Sequence, residues 1–409
     1  MRMTPKQPLS GNITSEDQLH LKQLELNSLL EVTQAINANL SEESLYKIFH
    51  FTLISNLQIK KLALYVHDDN GWDCKVNYGT QDDFKAVPLI EDIINIQKIG
   101  EIPETCLPFN EFDYVLPISH KTQPLAFVLA GGVKDKLPDF SFIQTLTNII
   151  IVAIENKKLA RKELRQEALR KELQIARDVQ AMLFPKHLPA TDTIRIKASY
   201  FPHFTIGGDY YDYIPVNDKE HLICIADVSG KGIPAAILMS NFQASLRALT
   251  RHTLDLKQIV YELNLLTKAN SKGERFITFF ISIYNTETRT LKYINAGHNP
   301  PLIVNGKEDA VFLDKGTTVI GVFDSLPFIE EDNITINSKS ILFLYTDGLT
   351  ETSNNNDEEF GADGLKEFLV NHLNSNLDDI HTNLINSLNG FRGNKPFPDD
   401  ITFVSCLIN

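Results

Sequence analysis

From Phe140 the chain runs more than forty residues without a glycine or proline, until Pro185. Its outer part, ENKKLARKELRQEALRKELQIARDVQAMLFP, alternates glutamate with lysine and arginine. Straight-chain charged residues with i,i+4 pairing favour one long helix. Ala160, Leu164 and Ala168 make one apolar line, and Leu169, Leu173, Ala176 and Leu183 a second, an imperfect heptad with Gln180 at a seam position. This pattern predicts a helical linker over 156–185, a short parallel coiled coil and a homodimer. Its competitor is a solitary helix packed on its own domain. Such a rod divides the 409 residues into two parts, each long enough for its own core.

Before the rod, residues 1–19 are polar and are expected to be disordered. Two helices follow, with apolar positions from Leu21 to Ile36 and then SEESLYKIFHFTLI. Strand-like runs come next at KKLALYVHD, WDCKVNYG, YVLPISH and PLAFVLAGG. This order predicts an α+β domain over 20–155. After the rod, strands are expected at IRIKASYFP, YYDYIPV, HLICIADV, FITFFISIYN, TLKYINAG, PPLIVN, SILFLYTDG and ITFVSCLIN. Helices are expected at 234–250, 255–270, 361–374 and 377–390. So many strands with helices in pairs point to an α/β/β/α sandwich over 186–409.

A net charge of −13 argues against general nucleic-acid binding, which needs a basic face. The four cysteines, Cys74, Cys106, Cys224 and Cys406, lie far apart and read as reduced, buried thiols rather than a zinc knuckle. The start lacks a signal-peptide core, and the apolar run IIIVAI is too short to span a bilayer. The expectation is a cytoplasmic protein with no membrane insertion.

Acidic residues stand at strand ends in the second half. Asp209 lies in IGGDYYDYI, Asp227 in IADVSGKG, Asp347 in LFLYTDGLTE, and Asp399 with Asp400 in FPDDITFVSCL. One aspartate at a strand end is ordinarily a turn former; four such places in one domain ask for more. Carboxylates brought together repel unless a cation neutralises them. Oxygen donors with little histidine or cysteine select hard ions, Mg²⁺ or Mn²⁺. Two such ions can activate a water and bind phosphate oxygens. The residue types therefore point to metal-assisted hydrolysis of a phosphate ester.

Two resemblances add to this reading. LLEVTQAINANLSEESLYKI followed by KKLALYVHDDNGW resembles the GAF family of sensor domains. No residue set names a ligand, and a ligand-free dimerisation role stands beside a sensory one. ELQIARDVQAMLFP, GGDYYDY, ADVSGKGIPAAILMS, the FITFF to PPLIV stretch, GTTVIGVF, LFLYTDGLTE and DDITFVSCLI follow one another in order. Together they resemble the bacterial serine/threonine phosphatases of the stage II sporulation protein E type, a branch of the PPM metal-dependent phosphatases.

The resemblance implies a protein-serine/threonine phosphatase with two Mn²⁺ or Mg²⁺ ions. Asp227 would bridge them, with the Val228 carbonyl as a further ligand; Asp347 and Asp399 would bind one metal and Asp209 the other. Asp227 and Asp347 would act through a metal-bound water, with Asp212 and Asp400 in reserve. The substrate implied is a phosphorylated STAS-domain anti-sigma-factor antagonist in a partner-switching pathway, the first domain supplying regulation. Where eukaryotic members carry a histidine two residues after the bridging aspartate, this chain has Ser229, so the general acid is unassigned. His298 in AGHNPP reads either as a site residue or as a turn stabiliser, and Arg247 and Arg251 as phosphate contacts or as structural. A catalytically silent interaction module and another two-metal phosphoesterase are the alternatives.

Overall fold

The computed structural model describes residues 15–57, 59–68, 71–120, 123–133, 139–305, 310–337 and 339–409. Of the stretch expected to be disordered, residues 1–14 lie outside the described residues; from Ser15 the chain is helical. The chain forms two compact units that divide between Glu167 and Ala168, inside the segment expected to be the linker.

The first unit opens with α1 (Ser15–Asn37) and α2 (Glu42–Leu57). It continues through β1 (Lys61–Asp68), β2 (Gly71–Tyr78), a short α3 (Glu91–Ile94), β3 (Gly100–Glu101), β4 (Tyr114–His120) and β5 (Gln123–Gly131). The strands form an antiparallel sheet in the order β2-β1-β5-β4-β3. Alternation along β1 splits two cores. Leu62, Leu64 and Val66 meet Val32, Phe49 and Leu53 of the helices. Ala63 and Tyr65 face Phe84, Ile93 and Phe109 of the loop side. This unit takes in the first part of α4 (Phe140–Ala181), whose Ile143, Leu146 and Ile150 join the helical core.

Helix α4 is continuous, as the lack of helix breakers requires. Leu164, Leu169, Ile175 and Val179, beyond its middle, and Met182, just past its end, are more than half exposed.

The second unit comprises β6 (Ile194–Phe201), β7 (Tyr210–Pro215), β8 (Glu220–Val228), α5 (Ile233–Leu249), α6 (Leu256–Ser271), β9 (Ile277–Asn285) and β10 (Thr290–Ala296). There follow β11 (Leu302–Val304), β12 (Ala310–Phe312), β13 (Gly316–Thr317), β14 (Asp332–Thr335), β15 (Ser340–Tyr345), α7 (Asp347–Thr350), α8 (Gly361–Asn371), α9 (Leu377–Arg392) and β16 (Ile401–Ile408). One sheet runs β13-β10-β9-β8-β7, with β14 added on β10; the other runs β12-β11-β15-β16-β6.

Strand β8 shows how the layers form. Leu222, Cys224, Ala226 and Val228 pack toward Leu238, Met239 and Phe242 of α5. Ile223 and Ile225 point the other way, onto Leu342, Leu344 and Val404 of the second sheet. That sheet's far side, with Phe343 and Phe403, buries Leu365 and Leu369 of α8 and Ile380 and Leu384 of α9. Strands buried on both faces read as unbroken apolar runs, and the result is a helix–sheet–sheet–helix stack. Caps fix two of the helices: the Asp255 side chain accepts from the Lys257 and Gln258 amides, and Asn376 accepts from Asp379. All four cysteines are free and buried. Among the described residues, no helix is long and apolar enough to cross a membrane.

Candidate functional site

Antiparallel pairing gathers the acidic strand ends. Tyr210, the first residue of β7, lies opposite Ala226 near the end of β8, so Asp209 and Asp227 are brought together. Tyr345 at the end of β15 lies opposite Phe403 near the start of β16, which does the same for Asp347 and the Asp399–Asp400 pair. The two sheets stack, and all five carboxylates meet at one end of the sandwich.

Their electrostatics record the meeting. Burial, then the charges of Asp227 and Asp400, hold Asp209 well above the usual carboxylate range. Burial, then Asp347, Asp399 and Asp400, push Asp227 up to about 7, against a side-chain hydrogen bond with Asp209. Asp347 is raised by burial and by Asp399. Asp400 is raised by burial, although the amides of His203 and Gly208 donate to its carboxylate at 2.7 and 2.8 Å.

Asp209 and Asp399 also have fixed partners. The Thr346 hydroxyl donates to Asp209 Oδ2 at 2.9 Å, and the Thr402 hydroxyl donates to the same oxygen. Lys231 Nζ lies 2.7 Å from Asp399 Oδ2. The glycines leave the backbone close: a Cβ on Gly208 would stand 2.9 Å from the Val228 carbonyl oxygen, and one on Gly207 would stand 1.9 Å from Asp400 Oδ2. Ser229, where a histidine was the comparison, ties its loop down. Its hydroxyl accepts from the Phe276 amide, and its carbonyl accepts from Arg275 Nη1 at 2.7 Å.

Among the described residues, no three or more His, Cys, Asp or Glu side chains form a group that could hold a metal ion. The donor set nevertheless suits a hard cation. It is all oxygen and concentrated at one end of the unit, and burial with mutual repulsion raises Asp209, Asp227 and Asp347, a penalty that a divalent cation would relieve.

The two reserve aspartates separate. Asp400 belongs to the cluster, turned inward onto backbone amides. Asp212 does not face it: Arg247 donates to both its oxygens, each at 2.8 Å, and the Tyr210 hydroxyl donates to it as well. With its side chain fully buried, Asp212 is the anchor of a structural ion pair, and Arg247 is the other half. His298 is a tether between sheets. Its Nδ1 accepts from the Thr278 hydroxyl at 2.8 Å, and its Nε2 donates to the Tyr345 carbonyl at 3.0 Å. Thr278 lies opposite Asp227 in the ladder, and Tyr345 stands two residues before Asp347. Burial holds this imidazole down at about 4, neutral.

Sequence reasoning missed Lys231, Thr346 and Thr402 and read Gln180 only as a coiled-coil seam position, whereas it is buried. Gln180 clasps Gly207 through its carbonyl at 2.8 Å. All four sit inside the motif stretches; for Thr346, Thr402 and Gln180, polarity within buried surroundings was the available signal. Volume gives a different answer from chemistry: a cavity of about 890 Å³ lies at the far ends of β7 and α5, lined by Val216, Arg247, Arg251 and His252. It contains none of the five carboxylates.

The layered fold is that of solved PP2C domains. The solved SiaA-PP2C domain of Pseudomonas aeruginosa shares the fold, with a TM-score of 0.53 and 19% identity over 60% of this chain and 99% of that domain. Residues 217–408 match the family of Stage II sporulation protein E (SpoIIE). Phosphoserine phosphatase RsbU of Bacillus subtilis is 30% identical over 225 residues, 54% of this chain and 66% of RsbU. Phosphoserine phosphatase RsbP of the same organism is 23% identical over 239 residues, 58% of this chain and 57% of RsbP. The chain thus spans well over half, but not all, of these relatives.

Proposed function

We propose that the protein is a metal-dependent protein-serine/threonine phosphatase, with the carboxylate cluster as its active site. The observation that carries this reading is the convergence of Asp209, Asp227, Asp347, Asp399 and Asp400, with burial and then the neighbouring charges raising Asp227 to about 7. The names of RsbU and RsbP, both phosphoserine phosphatases, support the substrate class. Asp227 would bridge two Mn²⁺ or Mg²⁺ ions with help from the Val228 carbonyl, Asp347 and Asp399 would hold one, and Asp209 the other. Bound there, the ions would supply an activated water and charge for the phosphoryl oxygens. The chain's own part is to hold the ligands: Thr346 and Thr402 fix Asp209, Asp400 clamps the 203–208 loop, and His298 ties the two sheets together behind Asp227 and Asp347.

We further propose that the substrate is a phosphorylated STAS-type anti-sigma-factor antagonist in the cytoplasm. The first unit would serve as a GAF-like regulator, and the exposed apolar residues of α4 would pair two copies as a coiled coil. The test is Mn²⁺-dependent phosphate release from a phosphoserine protein, wild type beside Asp227→Asn. Turnover by wild type alone supports the reading. Equal turnover by both, or by neither with Mn²⁺ bound, overturns it.

A further inference from the structure

The loop that leaves Asp227 carries a cation back into the carboxylate cluster. Lys231 lies between Gly230 and Gly232, whose φ angles of 94° and 71° are open to glycine and costly for most other residues. That backbone turns the Lys231 ammonium onto Asp399 Oδ2 at 2.7 Å and the Pro398 carbonyl at 2.8 Å. Its charge is also felt by Asp347 and Glu351. The side chain remains 42% exposed and that of Asp399 36%, so the pair sits at the mouth of the cluster.

We propose that Lys231 is an exchangeable counter-ion. It neutralises Asp399 in the metal-free protein, and it turns to the substrate's phosphate group once a divalent cation takes that carboxylate. The inference rests on the function proposed above. Three physical points carry it. A carboxylate oxygen that ligates a dication gains little from an ammonium on the same atom, because the two cations repel. An ion pair this exposed is worth under about 1 kcal/mol by itself, so the ammonium is released cheaply. Once released, it is a compact positive charge on a flexible stem, beside the place where a phosphate dianion would be held, and lysine serves such groups as a point charge. On a chain of net charge −13, a cation at the mouth also offsets repulsion of an acidic phosphoprotein. No proton or bond is transferred in this exchange.

The experiment uses the full chain, stripped with chelator, as wild type, Lys231→Met and Lys231→Gln. Mn²⁺ is titrated by calorimetry, and steady-state kinetics follow on a phosphoserine peptide. Loss of the competing ammonium is expected to tighten Mn²⁺ binding about two- to fivefold. Loss of the phosphate contact is expected to raise KM about tenfold or more, with kcat changed less. Mn²⁺ binding that is unchanged or weaker in both variants overturns the counter-ion role, and an unchanged KM overturns the phosphate contact. Wild type that binds no Mn²⁺ overturns the proposed function itself, a result distinct from either.

Discussion

Asp227 is the residue on which the proposed chemistry turns, and it should destabilise the protein that carries it. In the metal-free state its carboxyl is buried beside Asp347, Asp399 and Asp400, and is raised from 3.8 to about 7. At about 1.4 kcal/mol per pH unit, that displacement corresponds to about 4 kcal/mol of strain in the ionised form. The sign follows from linkage. The folded pKa lies above the unfolded one, so the strain is absent below pH 3.8, grows between about 4 and 7, and is complete above 7. Asp227→Asn removes the charge and keeps the shape, but a buried amide retains part of the desolvation cost. We therefore expect a gain of roughly 2–4 kcal/mol at pH 8 in chelator, seen by urea denaturation of the second unit. The gain should vanish near pH 4. Added Mn²⁺ should reverse the order, because a ligand that binds only the folded state stabilises by mass action, and only the wild type keeps the carboxylate proposed to bridge the ions. A variant no more stable than wild type at pH 8 without metal would refute the crowding argument.

Three further outcomes follow from contacts around the site. Arg247→Met should cost about 3–5 kcal/mol by leaving the buried Asp212 charge unpaired, and the double variant with Asp212→Asn should recover most of it; equal losses in both would contradict the ion-pair role. His298→Leu should cost about 1–3 kcal/mol for each of the two polar partners it abandons, and Mn²⁺ affinity should fall with it; unchanged affinity would show that the tether does not position the carboxylates. Burial lowers the His381 pKa to about 3, so the folded protein keeps it neutral while the unfolded chain protonates it. The stability advantage of wild type over His381→Leu should shrink by about 1.4 kcal/mol per pH unit as pH falls below 6.5, and a constant advantage from pH 7 to 5 would refute that burial.

The sequence made the strands of the second unit legible for a physical reason. A strand buried on both faces has no polar alternation to confuse it with a surface helix, and β8, β9, β15 and β16 are of that kind. The short β12, β13 and β14 were missed. They hold two to four residues each, and their pairing is decided by neighbours far along the chain. The four longer helices of the second unit were expected within a few residues of where they lie, with Pro234, Asp255 and Asn376 marking three of the starts, and the one-turn α7 was not expected. The division of the chain was harder to place, since an uninterrupted helix gives no local sign of where one set of contacts ends.

The site was legible as a composition and less so as a geometry, and Asp212 shows where the difference lies. It stands three residues from Asp209 and shares its motif, so proximity in sequence made it a substitute ligand. Strand periodicity places it elsewhere. In β7 Asp212 has the parity of Tyr210, which packs with Phe242 on the α5 side, whereas Tyr213 packs between the sheets. A carboxylate on that face meets Arg247 of α5 and not the cluster. Asp399 and Asp400, in the bend just before β16, also go to different partners. One turns in to the amides of His203 and Gly208, and the other turns out to Lys231. What the sequence withholds is which cation faces which acid, because that pairing is made between loops that only the folded sheets bring together.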